Sequence, residues 1–215
     1  MGVPVQASNL KRGEGAYRTS LSSGLLTGVA AAGATTGHIW AFRFAPAAGV
    51  QPAPKFAVIT RLRAKLQTIT GFTVAQEVGI DLSVARTYTA FHTGGTSATL
   101  TTTNAKKIDL PTNAGVTPPS SASQMMIGTT GALTAGTQTL DAQPIAAEPH
   151  IELAAAITVY GGFSQISMDT GDLLEYPIAL ATNEGLILRN TVAMGAAGTA
   201  RLVVELDWLE LLRLA

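Results

Sequence analysis

An antiparallel β-sandwich of jelly-roll-like type, with long loops and an extended N-terminal arm, is the fold this sequence predicts. Three observations point to it. Lys55–Gln67 alternates apolar and polar residues, the period of a half-buried strand, in which successive side chains take opposite faces. Clusters of Gly, Pro, Thr and Ser divide the chain into short strand-length pieces. No long segment carries the 3.6-residue period of an amphipathic helix. At 215 residues the chain is long enough to bury a core as one all-β domain, expected over 16–215 behind an arm at 1–15.

Met1–Gly15 is polar, contains Pro4, and carries its only charge cluster at Lys11 and Arg12. It reads as an extended arm, either loose or ordered against a neighbouring subunit. In the first expected strand Tyr17, Thr19 and Leu21 alternate with Arg18, Ser20 and Ser22. His38–Ala45 follows, with Trp40, Phe42 and Phe44 on one face and Ile39, Ala41 and Arg43 on the other. Large rings at that spacing are core residues. Pro46–Pro54 is a connection.

Lys55–Gln67 places Val58, Thr60, Leu62, Ala64 and Leu66 on one side. Ile59, Arg61, Arg63, Lys65 and Gln67 fall on the other, which makes that side mostly cationic. After a turn around Gly71, Gly79–Ala90 sets Ile80, Leu82 and Val84 against Asp81, Ser83 and Ala85. Cross-strand pairing of Asp81 with Arg61, Arg63 or Lys65 would contribute about 0.2–1 kcal/mol.

Tyr88–Thr103 is rich in threonine and contains Gly94-Gly95; it reads as an exposed strand or surface loop. Asn113–Ser123 is a further loop, and Gln124–Leu140 holds short strands anchored by Met125, Ile127, Leu133 and Leu140. A strand is expected over Ile157–Tyr160, with helix as the alternative over Glu148–Ile157. Asn183-Glu184-Gly185 is a turn ahead of a strand at Leu186–Val192. In the last strand Leu202, Val204, Leu206 and Trp208 face inward, with a terminal helix from Asp207 as the alternative.

Composition narrows the function. Fourteen Lys and Arg balance fourteen Asp and Glu, a poor match for binding driven by phosphate neutralisation, so no nucleic-acid partner is expected. Only 13% of residues are charged, against about 25% in an average soluble domain. Such a surface suggests cover by other subunits. With no cysteine, disulfides and thiolate metal sites are excluded. The first residues lack the apolar core of a signal peptide, and Gln6 argues against myristoylation. No run reaches the roughly 20 apolar residues of a membrane span. A soluble chain made in the cytoplasm is the expectation.

No catalytic constellation emerges, and the chain reads as a non-enzyme without a cofactor. His38, His92 and His150 lie far apart, and none has a partner at metal-ligand spacing. No nucleophile elbow, P-loop or dinucleotide fingerprint is present. Asp169-Thr170-Gly171 matches the tripeptide of aspartic proteases, which function as a dyad sharing one proton. Asp172 in the next position adds a second negative charge, and the segment reads better as a polar turn. Asp169, Asp172 and Glu175 lack the EF-hand spacing for calcium. The residues nominated for partner contact are Lys11, Arg12, Arg61, Arg63 and Lys65.

Several stretches resemble a family of virion structural proteins of tailed bacteriophages. They are Gly71-Phe72-Thr73-Val74; Thr96-Ser97-Ala98-Thr99-Leu100 leading to Asn104-Ala105-Lys106; Thr130–Thr137 with Leu140-Asp141-Ala142-Gln143-Pro144; Pro177 through Asn183-Glu184-Gly185 to Arg189; and Val204-Glu205-Leu206-Asp207-Trp208. These are loop and strand patterns, and no catalytic residue is carried over. The resemblance implies a particle component located in the virion. The expected role is a capsid decoration or cement protein, a homo-oligomer such as a trimer, contacting the major capsid protein or other virion subunits. The alternative is a tail, collar or fibre protein that binds a host glycan, for which Tyr88, Phe91 and His92 are the candidate aromatics.

Overall fold

The computed structural model describes residues 15–46, 54–98, 100, 106–107, 123–152, 163–168 and 178–212. Among them there is no helix; two antiparallel sheets pack face to face. Lys11, Arg12, Asp169, Asp172, Glu175 and the expected strand at Ile157–Tyr160 lie outside the described residues.

The first sheet contains β1 (Gly15–Ser22), β3 (Phe56–Thr70), β6 (Lys106–Lys107), β10 (Phe163–Met168), β11 (Ile178–Ala181) and β13 (Thr199–Leu211). Its order is β10-β3-β13-β1-β6, with β11 also paired to β3. The second contains β2 (His38–Phe44), β4 (Gln76–Ala90), β5 (Gly95–Ala98), β7 (Gln124–Gly128), β8 (Thr137–Leu140), β9 (Ala146–Glu152) and β12 (Glu184–Asn190). Its order is β5-β7-β2-β12-β4-β8, with β9 also on β4. The two helical alternatives are overturned where described: 146–152 is strand, and β13 continues through Leu211.

The main core lies between the sheets. Trp40, Phe42 and Phe44 meet Leu62, Leu66, Leu202, Leu206 and Trp208, all fully buried. Trp208 of β13 stands 5.5 Å from both Tyr17 of β1 and Phe42 of β2, so one indole joins both sheets.

Two bulges reset the alternation read from the sequence. In β3, Arg61 opposes Asp207 and Ile59 opposes Trp208, so Thr60 is an extra residue. Side-chain parity flips there. Ile59, expected outside, is therefore fully buried, while Val58 and Thr60 are only partly covered. In β4, Thr87 adopts φ 47°, a left-handed conformation unusual for a β-branched residue. Before it, Val78, Ile80, Leu82 and Val84 face the main core; after it, Tyr88 joins the face of Ala85.

β2, β4 and β12 are buried on both faces, which explains the apolar runs Ile39–Phe42 and Leu186–Leu188, while β4 alternates and buries Asp81 and Ser83 on its outer face. A second cluster of Ala41, Ala85, Tyr88, Met126, Leu133 and Ile187, with Phe91 and Leu140 against it, covers the outer face of the second sheet. Backbone approach is close here. A Cβ on Gly185 would lie 2.0 Å from the Phe42 carbonyl oxygen and 3.0 Å from the Tyr88 ring. Gly185→Ala is expected to lower stability by about 1–3 kcal/mol, measured by urea denaturation. An unchanged midpoint would show that β2 and β12 part more easily than their packing implies.

Candidate functional site

The first candidate surface is the outer face of the first sheet. Strand register lines up Gln165, Lys65 and Val203 in one rung, Ser167, Arg63 and Glu205 in the next, and Arg61, Asp207 and Arg18 in a third. Arg201 lies on the same face, opposite Gln67. Among the described side chains, five cations, Arg18, Arg61, Arg63, Lys65 and Arg201, thus share a face with two carboxylates, Glu205 and Asp207. That leaves an excess of three positive charges on one face of a chain whose formal net charge is zero.

These charges are organised. Arg61 Nη2 donates to Glu205 Oε2 at 2.5 Å and its Nε lies 3.7 Å from Asp207. Arg18 donates to both Asp207 oxygens at 2.8 and 2.6 Å, which holds its guanidinium more firmly protonated. The Lys65 ammonium sits 4.0 Å from the centre of the Phe163 ring, a cation–π contact. The structure therefore brings Arg61, Arg63 and Lys65 together as the sequence implies. Arg61, however, is committed within the sheet, where it holds two carboxylates.

The outer face of the second sheet is closed by three arginine clamps. Arg189 donates to both oxygens of Asp81 at 2.7 and 3.0 Å. Asp81 thus pairs with β12, and not with the basic residues of β3 suggested by its sequence. Arg86 donates to Asp141 and to Glu184, and Arg43 to Asn183 and Gln124.

Beneath this face lies the feature that sequence spacing concealed. His38, at the start of β2, and His92, just after β4, touch: His38 Nδ1 is 2.6 Å from His92 Nε2. The Tyr88 hydroxyl meets His92 Nδ1, and His38 Nε2 meets the Gly33 carbonyl oxygen at 3.2 Å. A carbonyl only accepts, so His38 Nε2 carries a proton and its Nδ1 accepts. His92 Nε2–H then donates, His92 Nδ1 accepts, and Tyr88 O–H donates to it. One terminal carbonyl fixes both tautomers and the direction of the whole relay. All three side chains are at most 2% exposed. Burial is the main cause holding both imidazoles neutral, and it pushes the Tyr88 hydroxyl up.

The relay does not resemble a metal centre: among the described residues no group of three or more His, Asp or Glu side chains is placed to hold an ion. Nor do Tyr88 and His92 present an exposed aromatic platform for a glycan; both are buried, Tyr88 within the second cluster, and Phe91 is half-buried beside them. His150 is elsewhere, 3.3 Å from Glu152. The signal in the sequence was indirect: apolar residues at both parities of His38–Phe44 imply that this strand is covered on both faces.

Comparison with protein-family models gives no match for this chain, and neither does comparison with curated proteins.

Proposed function

We propose that this chain is a structural subunit of a tailed-phage virion, a decoration or cement protein that bridges and stabilises neighbouring subunits of the head shell. The observation that carries this reading is the outer face of the first sheet, which among the described side chains holds three more positive than negative charges in a chain whose total charge is zero. Such a face fits an acidic patch on the major capsid protein or another virion subunit, where complementary charge gives orientation and speed of encounter. Binding that exists only in the assembled shell stabilises that shell by linkage. A jelly-roll-like sandwich, an N-terminal arm carrying Lys11 and Arg12, and a trimeric homo-oligomer complete the proposal. The resemblance of the loop and strand patterns to virion proteins supports it.

The test must spare Arg61, because Arg61→Glu would set three carboxylates together with Glu205 and Asp207. Lys65→Glu combined with Arg201→Glu reverses the face at positions outside that clamp. The double variant is expected to fold normally and to bind shells lacking the protein at least tenfold more weakly at about 0.1 M salt. Binding unchanged at low and high salt alike would remove the basic face as the contact. Density confined to the tail in cryo-microscopy of the particle would remove the head-shell reading and favour a tail, collar or fibre role.

A further inference from the structure

We propose that the Tyr88–His92–His38–Gly33 relay is an acid-operated latch: one added proton releases the 91–98 segment and uncovers the second sheet's outer apolar face, while the sandwich core stays closed. The geometry supplies the mechanism. In the neutral relay each imidazole has a single lone pair, and both are in use: His92 Nδ1 accepts from Tyr88, and His38 Nδ1 accepts from His92. A proton arriving on His92 Nδ1 turns an acceptor into a donor and faces the Tyr88 O–H, whose hydrogen must rotate away, so that the phenol oxygen accepts and the O–H loses its partner. A proton arriving on His38 Nδ1 faces the His92 Nε2–H. That clash resolves only if His92 moves its proton to Nδ1, and Tyr88 again loses its acceptor. Either route leaves a buried cation and a buried Tyr88 O–H that has lost its acceptor.

Among the described residues no carboxylate is free to compensate. The charged groups facing His38 are Arg189 on β12, which opposes protonation, and Asp81 on β4, which favours it. Asp81 already gives both oxygens to Arg189. His92 faces His38, and the charge facing Tyr88 is Arg43 on β2. Burial first and His38 second pull His92 down to about 3. An opened histidine titrates near about 6.5. Between those values the open form binds protons that the closed form does not, so stability of the closed form falls as pH falls.

What opens is set by connectivity. His92 lies in the segment that runs from β4 into β5, and Thr93 exchanges both backbone hydrogen bonds with Thr134. Leu133 donates its N–H to the His38 carbonyl. Releasing the relay therefore loosens 91–98 together with 131–136, which bring Phe91 and Leu133 to the cluster over Ala41, Ala85 and Ile187. The main core is filled from β3 and β13 and from the inner faces of β2, β4 and β12, which stay paired to one another; of the two loosened pieces only Ala98 and Ala132 pack against it.

Hydrogen–deuterium exchange of the full chain from pH 7.5 to 4.5, corrected for intrinsic exchange, tests the latch. Protection over 88–98 and 129–140 is expected to fall about tenfold per pH unit below about pH 6 for each histidine that takes up a proton. Protection over 200–211 stays level. His92→Gln and His38→Asn flatten the profile, whereas His150→Gln leaves it as in the parent. The proposal is overturned by flat protection in the parent chain, by simultaneous loss across all peptides, or by unchanged acid response in the double variant. If the variants do not fold, the parent profile still decides between local opening and none.

Discussion

Replacing Asp81 with alanine is expected to lower the stability of the fold by about 3–5 kcal/mol, the range seen when one partner of a buried ion pair is removed. Asp81 and Arg189 face each other across β4 and β12, with side chains only 9% and 14% exposed. Without the carboxylate, the Arg189 guanidinium keeps a single long contact, 3.4 Å to the Gly33 carbonyl oxygen. The cost is that of leaving a charge buried and unpaired, which is far larger than the net worth of the pair. Asp81→Ala combined with Arg189→Met should therefore recover much of the loss, because an apolar pair has no charge to strand. Urea denaturation of the two single variants and the double gives the coupling directly. A loss below about 1 kcal/mol for Asp81→Ala would mean that the pair is solvated and the second sheet's outer face is less closed than it stands here.

Trp208→Ala is expected to cost a comparable 3–5 kcal/mol. Its indole contacts Tyr17 and Phe42 at ring distances of 5.5 Å, so its removal opens a void where the two sheets meet. For a domain of this length the loss corresponds to a fall in Tm of very roughly 6–20 °C. Trp208→Phe should cost distinctly less, since a ring still spans the gap. The loss of the Nε1–H donated to Glu210 Oε1 at 3.2 Å then becomes its main penalty. Equal losses for the two variants would indicate that the hydrogen bond, and not the packed volume, is what matters at this position.

Much of the sandwich was legible in the residue pattern. Tyr17, Thr19 and Leu21, the aromatic face of Trp40, Phe42 and Phe44, and the inward run from Leu202 to Trp208 all fall where period-two alternation puts them. Alternation failed where the backbone gains a residue. Thr60 shifts Ile59 inward and Thr87 turns Tyr88 outward, and nothing in either local sequence distinguishes a bulge from a regular pair. The basic face was legible because three of its cations lie two residues apart on one strand. Its organising carboxylates were not, because Glu205 and Asp207 arrive from a strand far along the chain. The histidine pair was illegible for the same reason at greater cost. His38 and His92 meet only because β2 and β4 flank β12, a neighbour relation that spacing along the chain does not encode.

The pairing of β1 with β13 sets Gly15 opposite Glu210, so the first residue of β1 and the penultimate residue of β13 meet at one end of the first sheet. A tensile load applied between those two points would peel the strands apart one rung at a time, with each hydrogen bond failing alone. A load entering across the flat of the sheet is instead shared by many rungs of β3 and β13 at once, together with the Trp208 contact beneath them. A sandwich built this way is weak when pulled at Gly15 and Glu210 and strong when gripped by its face.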